Sequence, residues 1–502
     1  MNIKLEKRTL DLLSLSWLLA GIVIFLLGWC RWYYSIPLTL GIVAVIYTTW
    51  SKGDITEIVI SQRNLWLSLV VCLIIMWLCG IGGYMVQSND HYWRNAMFRD
   101  LVNYSWPVYD EATHLTKSYY IAFWMVPALF AKIAGSMELG FFMQLIWLTL
   151  GFELMYLQIC RWMGKARVSY LFFFYLFAGM KIVECLLYLP VAEPGHVISE
   201  MVNLVSTNAT PGEFHAGPIS QLLYDPFNQT IPLFLGMMVM INNVRSRILP
   251  FVYTSLLLYA PFPLVGLAPI VLYWMGRNMV ELKGNEKWKY LFCFENIVAL
   301  LVLVVSAFYL MSNNQNGNKG LRDLSDFGLT FYGYLIYMFF EFAIFMLIGY
   351  KACKDKAALW IAFITVAVLG WFKIGLHNDF CFRTNMPLIF ILCLLVIRRY
   401  YMEDAGSRLR KLIVALYIVG GLPAEIHPAL RWISSACIVM GVDQAVFNRY
   451  QHIKDVKTLY VMQQTKIRND QLSSSFLCRK DQEQFRTDVG TKDSFFFKYL
   501  AK

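Results

Sequence analysis

Three stretches of this chain gather residue types that could do chemistry. The first is SNDHYWRNAMFRDLVNYSWPVYDE, Ser88 to Glu111. Asp90 stands at the end of an apolar run and is followed by His91, Arg94, Arg99 and Asp100. Asp90 and Arg94 are four residues apart, so a helix would set them on one face. A carboxylate in that position is partly desolvated, which raises its pKa and suits it to general-base work. The plainer reading is a solvated loop whose charges face water; spacing alone leaves both open.

The second stretch is GLHNDFCFRTN, Gly375 to Asn385. Lys373 and His377 are four apart, as are Asp379 and Arg383. That density of charge at the mouth of an apolar run suits a phosphate or carboxylate, since Arg offers paired hydrogen bonds to such oxygens. Alternatively, Asp379 and Arg383 form an ion pair at a helix start and Lys373 snorkels to an interface.

The third pointer is charge inside apolar runs: Lys181 and Glu184, three apart, with Glu153, Glu295, Lys373 and Glu341 in other runs. A charge at bilayer depth costs at least about 2.5–3.5 kcal/mol, so such residues face a partner or a polar cavity. An internal Lys181–Glu184 ion pair is the plain alternative. The acidic segment 190–230 adds Glu193, His196, Glu200, Glu213, His215, Asp225 and Asn228. No pair there has a zinc-ligand spacing. A Mg²⁺, Mn²⁺ or Ca²⁺ site sharing Asp90 fits the oxygen-rich composition better. His91, Asp100, Lys181, Glu184, His196 and His215 are candidates to line a pocket. No Walker loop, GxGxxG, GxSxG or HExxH is present, so nucleotide-driven transport and serine hydrolysis have no support.

The elements that must hold these residues are read from composition. Of 502 residues, 58% are hydrophobic and 15% charged, against roughly 45–50% and about 25% in soluble domains. The excess comes in blocks approaching the ~20 residues that cross a bilayer. The pattern predicts an all-α polytopic membrane protein with about 13 spans, near 10–30, 36–50, 65–86, 139–160, 168–189, 231–243, 248–260, 263–275, 290–312, 329–350, 357–375, 386–398 and 411–424. The first block follows Lys4, Lys7 and Arg8 but is too long for a signal-peptide core and ends in Trp32-Tyr33-Tyr34, so it reads as a retained span. Tyr119–Ala134, with Pro127 and Lys132, reads as a shallow or re-entrant helix.

The net charge of +11 reports topology rather than a nucleic-acid partner. Loops at one set of ends carry 22 Lys/Arg and those at the other only 6. By the positive-inside rule the N-terminus is cytoplasmic, and loops 87–118 and 190–230 and the C-terminus are outside. The chain divides into a transmembrane domain, 1–428, and a small outer region, 429–502, with the amphipathic stretch Trp432–Val442 lying on the membrane. Most of the 11 Cys sit in apolar runs as small hydrophobes; Cys437 and Cys478 could pair outside.

This outline resembles the multi-spanning glycosyltransferases of the GT-C fold, in an uncharacterised bacterial branch. The matching parts are Asn89-Asp90-His91, Trp106-Pro107-Val108, YYIAFWMVPALFAKIAG at 119–135 and HNDFCFRTNMP at 377–387. A DxD motif is missing, because Asn89 and His91 flank Asp90. The resemblance implies a polyprenyl-phosphate-linked sugar as donor and a glycan, lipid or protein as acceptor, meeting at the outer face of a bacterial inner membrane. Asp90 would be the base. Arg383, with Lys373 or His377, would stabilise the phosphate leaving group; Arg94 and Asp379 complete the implied binding set. Three other readings stay open: an O-antigen polymerase or ligase relying on the 190–230 loop, a transporter or flippase of lipid-linked sugars lined by Lys181, Glu184 and Glu341, and a non-catalytic scaffold.

Overall fold

A computed structural model describes residues 2–85, 87, 89–111, 114–207, 214–313, 319–321, 327–374, 378–439 and 489–502. The first two helices, α1 (Lys7–Trp29) and α2 (Trp32–Ser51), run as an antiparallel pair. Next come α3 (Gln62–Leu78), α4 (Asn89–Asn103), α5 (Ala122–Ala134) and α6 (Met137–Met163). Local chemistry sets their ends. Ser61 caps α3 by accepting from the Asn64 amide, and Ser136 caps α6 by accepting from Leu139. Gly135 and Gly164 terminate α5 and α6 in the left-handed region.

Among the described residues six helices are long and apolar enough to cross a membrane: α1, α2, α6, Phe294–Met311, Phe327–Ala352 and Asp379–Tyr401. A seventh is counted if Ser407–Ala424 and Ile426–Ile433, bent by 47°, form one broken span. The expected thirteen is therefore corrected among the described residues. Run 65–86 yields only the 17 residues of α3 before the turn at Gly80–Gly83. Run 357–375 yields the 14 residues of Lys356–Leu369, and run 248–260 only Leu249–Ser255. Run 168–189 breaks into α7 (Ser169–Tyr175) and α8 (Lys181–Ala192). Thereafter α9 (Val197–Thr207) and α10 (Ile219–Tyr224) lead to α11 (Phe227–Asn242). Every α11 residue from Phe227 to Met240 is buried. A helix apolar all round can be wrapped by protein as well as by lipid, and the sequence does not separate the two. Helix α5 has 13 residues, about 20 Å, which is too short to cross.

The loops sort to two ends. At the basic end, β1 (Asn2–Glu6) pairs antiparallel with β2 (Glu57–Ser61). There Asp11 of α1 takes Arg161 at 2.7 Å, Gln158 at 3.0 Å and Asn243 at 3.2 Å, tying α1, α6 and α11 together. Arg277 pairs with Asp355 and Arg399 with Asp404. At the other end, the loop end, β3 (Tyr109–Asp110) and β4 (Leu115–Lys117) form a sheet completed by residues Val489–Thr491. Ala501 bridges to Cys30, and Phe496 packs on Phe25 and Tyr309. Helix Ile426–Val439 is anchored to α3 by the Trp432 indole donating to the Leu78 carbonyl at 3.0 Å. The Cys437–Cys478 pairing lies outside the described residues.

Candidate functional site at the loop end

Two adjacent tyrosines form the centre. Tyr119 and Tyr120 precede α5 and stack with ring centroids 3.7 Å apart, the Tyr119 hydroxyl donating to that of Tyr120. Arg383 donates from Nη1 to the Tyr120 hydroxyl at 2.8 Å, and Gln229 donates to the same oxygen at 3.2 Å. Arg94 lies on the other side. It donates from Nη1 to the Asp225 carbonyl and covers the Phe227 ring at 5.7 Å. Both guanidinium groups act on the Tyr119 hydroxyl electrostatically. Burial and the Tyr120 hydroxyl nonetheless hold the Tyr119 pKa well above the ordinary tyrosine range, burial being the larger cause.

A third arginine joins them. Arg431, on helix Ile426–Val439, sits 3.1 Å over the Tyr224 ring. His91 is wedged between Tyr224 and Phe227, with centroids at 4.9 and 5.3 Å. Burial first, then Arg94 and Arg431, press the His91 pKa well below the ordinary histidine value, so its imidazole is neutral near pH 7. Arg94, Arg383 and Arg431 are each less than a tenth exposed. Deeply buried guanidinium groups gathered around hydroxyl and amide groups suit an anion with several oxygens.

Backbone geometry fixes Arg383. Asn378 caps its helix from the left-handed region, φ 53°, its side chain accepting from the Cys381 amide at 3.4 Å. Asn tolerates that conformation. Gly266 of helix Pro261–Glu281 lies against the Thr384 carbonyl so closely that a Cβ would come within 2.1 Å of the oxygen. Asn385 donates to the His215 carbonyl at 2.9 Å and to the Tyr337 hydroxyl. Asn228, at the start of α11, is fully buried with neither carboxamide atom hydrogen-bonded. Oε1 of Gln229 and Oδ1 of Asn385 are also buried without a hydrogen bond. Each such group costs about 1–3 kcal/mol unless something polar meets it.

Of the residues singled out from sequence, the structure brings Arg94, Arg383 and His91 into this cluster. Asp379 stands 3.7 Å from Arg383 Nη2 and is half-exposed. Asp90 opens α4, one turn before Arg94; its side chain lies outside the described residues, as does His377. Asp100 instead pairs with the fully buried Lys117 at 3.4 Å, holding α4 to β4. Lys373 stands on a short strand, Phe372–Ile374, opposite Gly320. His196 is exposed beside the first turn of α9, and its carbonyl accepts from Ser199. His215 packs its ring, tilted, on Phe382 at 4.4 Å between centroids and contributes its carbonyl to Asn385. Lys181 and Glu184 lie elsewhere, at the break between α7 and α8. Among the described residues no three His, Cys, Asp or Glu side chains gather as a metal site. Two cavities of about 300 and 360 Å³ lie at the seam of Trp106–Tyr109 with residues 492–502 and are lined by none of the three arginines.

Sequence reasoning missed Tyr119, Tyr120, Gln229 and Arg431, whereas Asn228 stood among its candidates in the 190–230 segment. From sequence the tyrosines read as the head of a shallow helix and Arg431 as part of a polar tail. The available signal was Arg431 inside the apolar stretch IHPALRWI. No protein-family model matches the chain, and no curated protein or solved structure matches it significantly.

Proposed function

We propose that this membrane protein is a glycosyltransferase that moves a sugar from a polyprenyl-phosphate donor to a glycan, lipid or protein acceptor. The observation that carries the reading is the convergence of Arg94 and Arg383, distant in sequence, on the Tyr119–Tyr120 pair. A transferable sugar leaves a phosphate behind, and charge grows on its oxygens as the glycosidic bond breaks. Arg383 and Arg94 take that charge. Asp90, one helical turn from Arg94, removes the acceptor hydroxyl proton as the new carbon–oxygen bond forms. The reaction lies on the outer face of a bacterial inner membrane, with the basic end cytoplasmic, as the 22-to-6 division of Lys and Arg supports.

The test is purified protein in nanodiscs with an undecaprenyl-phosphate-linked hexose and a mixture of acceptors. Asp90→Asn abolishes product while insertion stays normal. Arg383→Met or Arg94→Met weakens donor binding about 10- to 100-fold, as expected for losing charged hydrogen bonds. Full transfer by Asp90→Asn removes it as base. A donor that crosses the bilayer without a new glycosidic bond supports the second reading, a flippase, which the broken helix beside Lys181, Glu184 and Glu341 favours.

A further inference from the structure

The break between α7 and α8 lies inside the helix layer, away from the arginine cluster. Residues Leu176–Met180 leave the helical path, and two π-helical turns close around them. One is Met338–Ala343, within Phe327–Ala352; the other is Tyr417–Gly421, within Ser407–Ala424. Glycines make the contacts possible. A Cβ on Gly179 would lie 1.9 Å from Oε2 of Glu341, and one on Gly420 would lie 2.5 Å from the Gly179 carbonyl. Non-helical backbone at such depth persists only where protein or a polar cavity covers it, and π-turns inside helices often mark functional positions.

Three ionisable groups meet there. Lys181, Glu184 and Glu341 are 6%, 1% and 6% exposed. The two carboxyl groups are within hydrogen-bonding reach of each other and Lys181 acts on both, with Cys185 as the neighbouring titratable side chain. Tyr417 borders the break through Phe177. Oε1 of Glu184 is buried without a hydrogen bond. Two carboxylates side by side cannot both stay ionised in a medium of low dielectric, and one ammonium neutralises only one of them. A carboxyl–carboxylate contact is attractive only with a proton between its oxygens.

We infer that Lys181, Glu184 and Glu341 form a binding site for a single exchangeable proton, built into the break between α7 and α8. The loaded site is neutral: one ammonium, one carboxylate and one carboxylic acid. Release of the proton leaves one net negative charge against the Gly179 backbone. The break is also tied to the arginine cluster, because the Phe177 carbonyl accepts from the Ile219 amide at 2.9 Å and α10 leads from Ile219 to Asp225. This inference stands without any assignment of a sugar substrate.

Infrared difference spectroscopy of the purified protein in nanodiscs at pH 7 tests it by counting protonated carboxyl groups. Against wild type, Glu184→Gln and Glu341→Gln each lose one carboxylic-acid band, because the remaining Glu ionises beside Lys181. Lys181→Met gains one. The charge-balanced Lys181→Met/Glu341→Gln double variant keeps the wild-type count and serves if a single variant fails to fold. The wild-type band shifts on transfer to D₂O. Unchanged spectra in both Gln variants, or no gain in Lys181→Met, overturn the shared proton. A band that never shifts in D₂O means a fixed proton and overturns exchange.

Discussion

Lys117→Met removes the cation from a pair that the fold has almost completely desolvated. The Lys117 and Asp100 side chains are 0% and 2% exposed, with Nζ 3.4 Å from Oδ2. At that distance and an effective dielectric of about 20, the attraction is about 5 kcal/mol. Removing one member of a buried ion pair typically costs about 3–5 kcal/mol. Lys117→Met should lower unfolding stability by that amount, measured by far-UV circular dichroism of the purified protein in mild detergent. Adding Asp100→Asn removes the charge that Lys117 faced and should recover part of the loss. Because Asp100 sits six residues beyond Arg94 on α4, the single variant should also loosen the arginine cluster. A silent Lys117→Met, or a second substitution that adds to the loss, would refute the assignment of a buried, mutually neutralising pair.

Two further outcomes follow from packing and burial. A Cβ on Gly21 of α1 would stand 2.0 Å from the Ala122 carbonyl, whereas one on Gly276 meets nothing within 4 Å. Thermal melts should show Gly21→Ala destabilised by about 1–3 kcal/mol and Gly276→Ala unchanged or stabilised by about 0.5–1 kcal/mol; equal behaviour would contradict the helix contact. For His91, the folded state resists the proton that the unfolded chain takes up below pH 6.5, so stability falls as pH drops through that value. The loss should be about 1 kcal/mol between pH 6.5 and 5.5 and absent in His91→Gln, read from unfolding curves across that range.

Much of the helix plan was legible. α1, α2, α6 and Phe294–Met311 fall close to the runs 10–30, 36–50, 139–160 and 290–312, because long uncharged runs with basic flanks have few other solutions. The break in run 168–189 was not, since no proline marks it and Gly179 is its main sequence sign. α11 coincides with run 231–243, but its 16 residues fall short of the ~20 that cross a bilayer. Arg94 and Arg383 stood out as cations next to apolar runs. Their common partner did not, because Tyr119–Tyr120 joins them only through a long-range contact that no local spacing encodes. Glu341 likewise meets Lys181 and Glu184 only in three dimensions.

The seam at the loop end bears on the timing of assembly. Phe496 covers Phe25, Ala501 bridges to Cys30, and the Lys502 amide donates to the Trp29 carbonyl. About 470 residues separate the two sides of that seam. At ~5–20 residues per second, the ribosome needs about 25–90 s to supply the second side after the first has emerged. During that interval the tip of α1 exposes Phe25, Trp29 and Cys30, and the strand Leu115–Lys117 has an unpaired edge. Helix α1 is thus finished only long after it is made, and its tip is where a membrane chaperone would find apolar surface to hold.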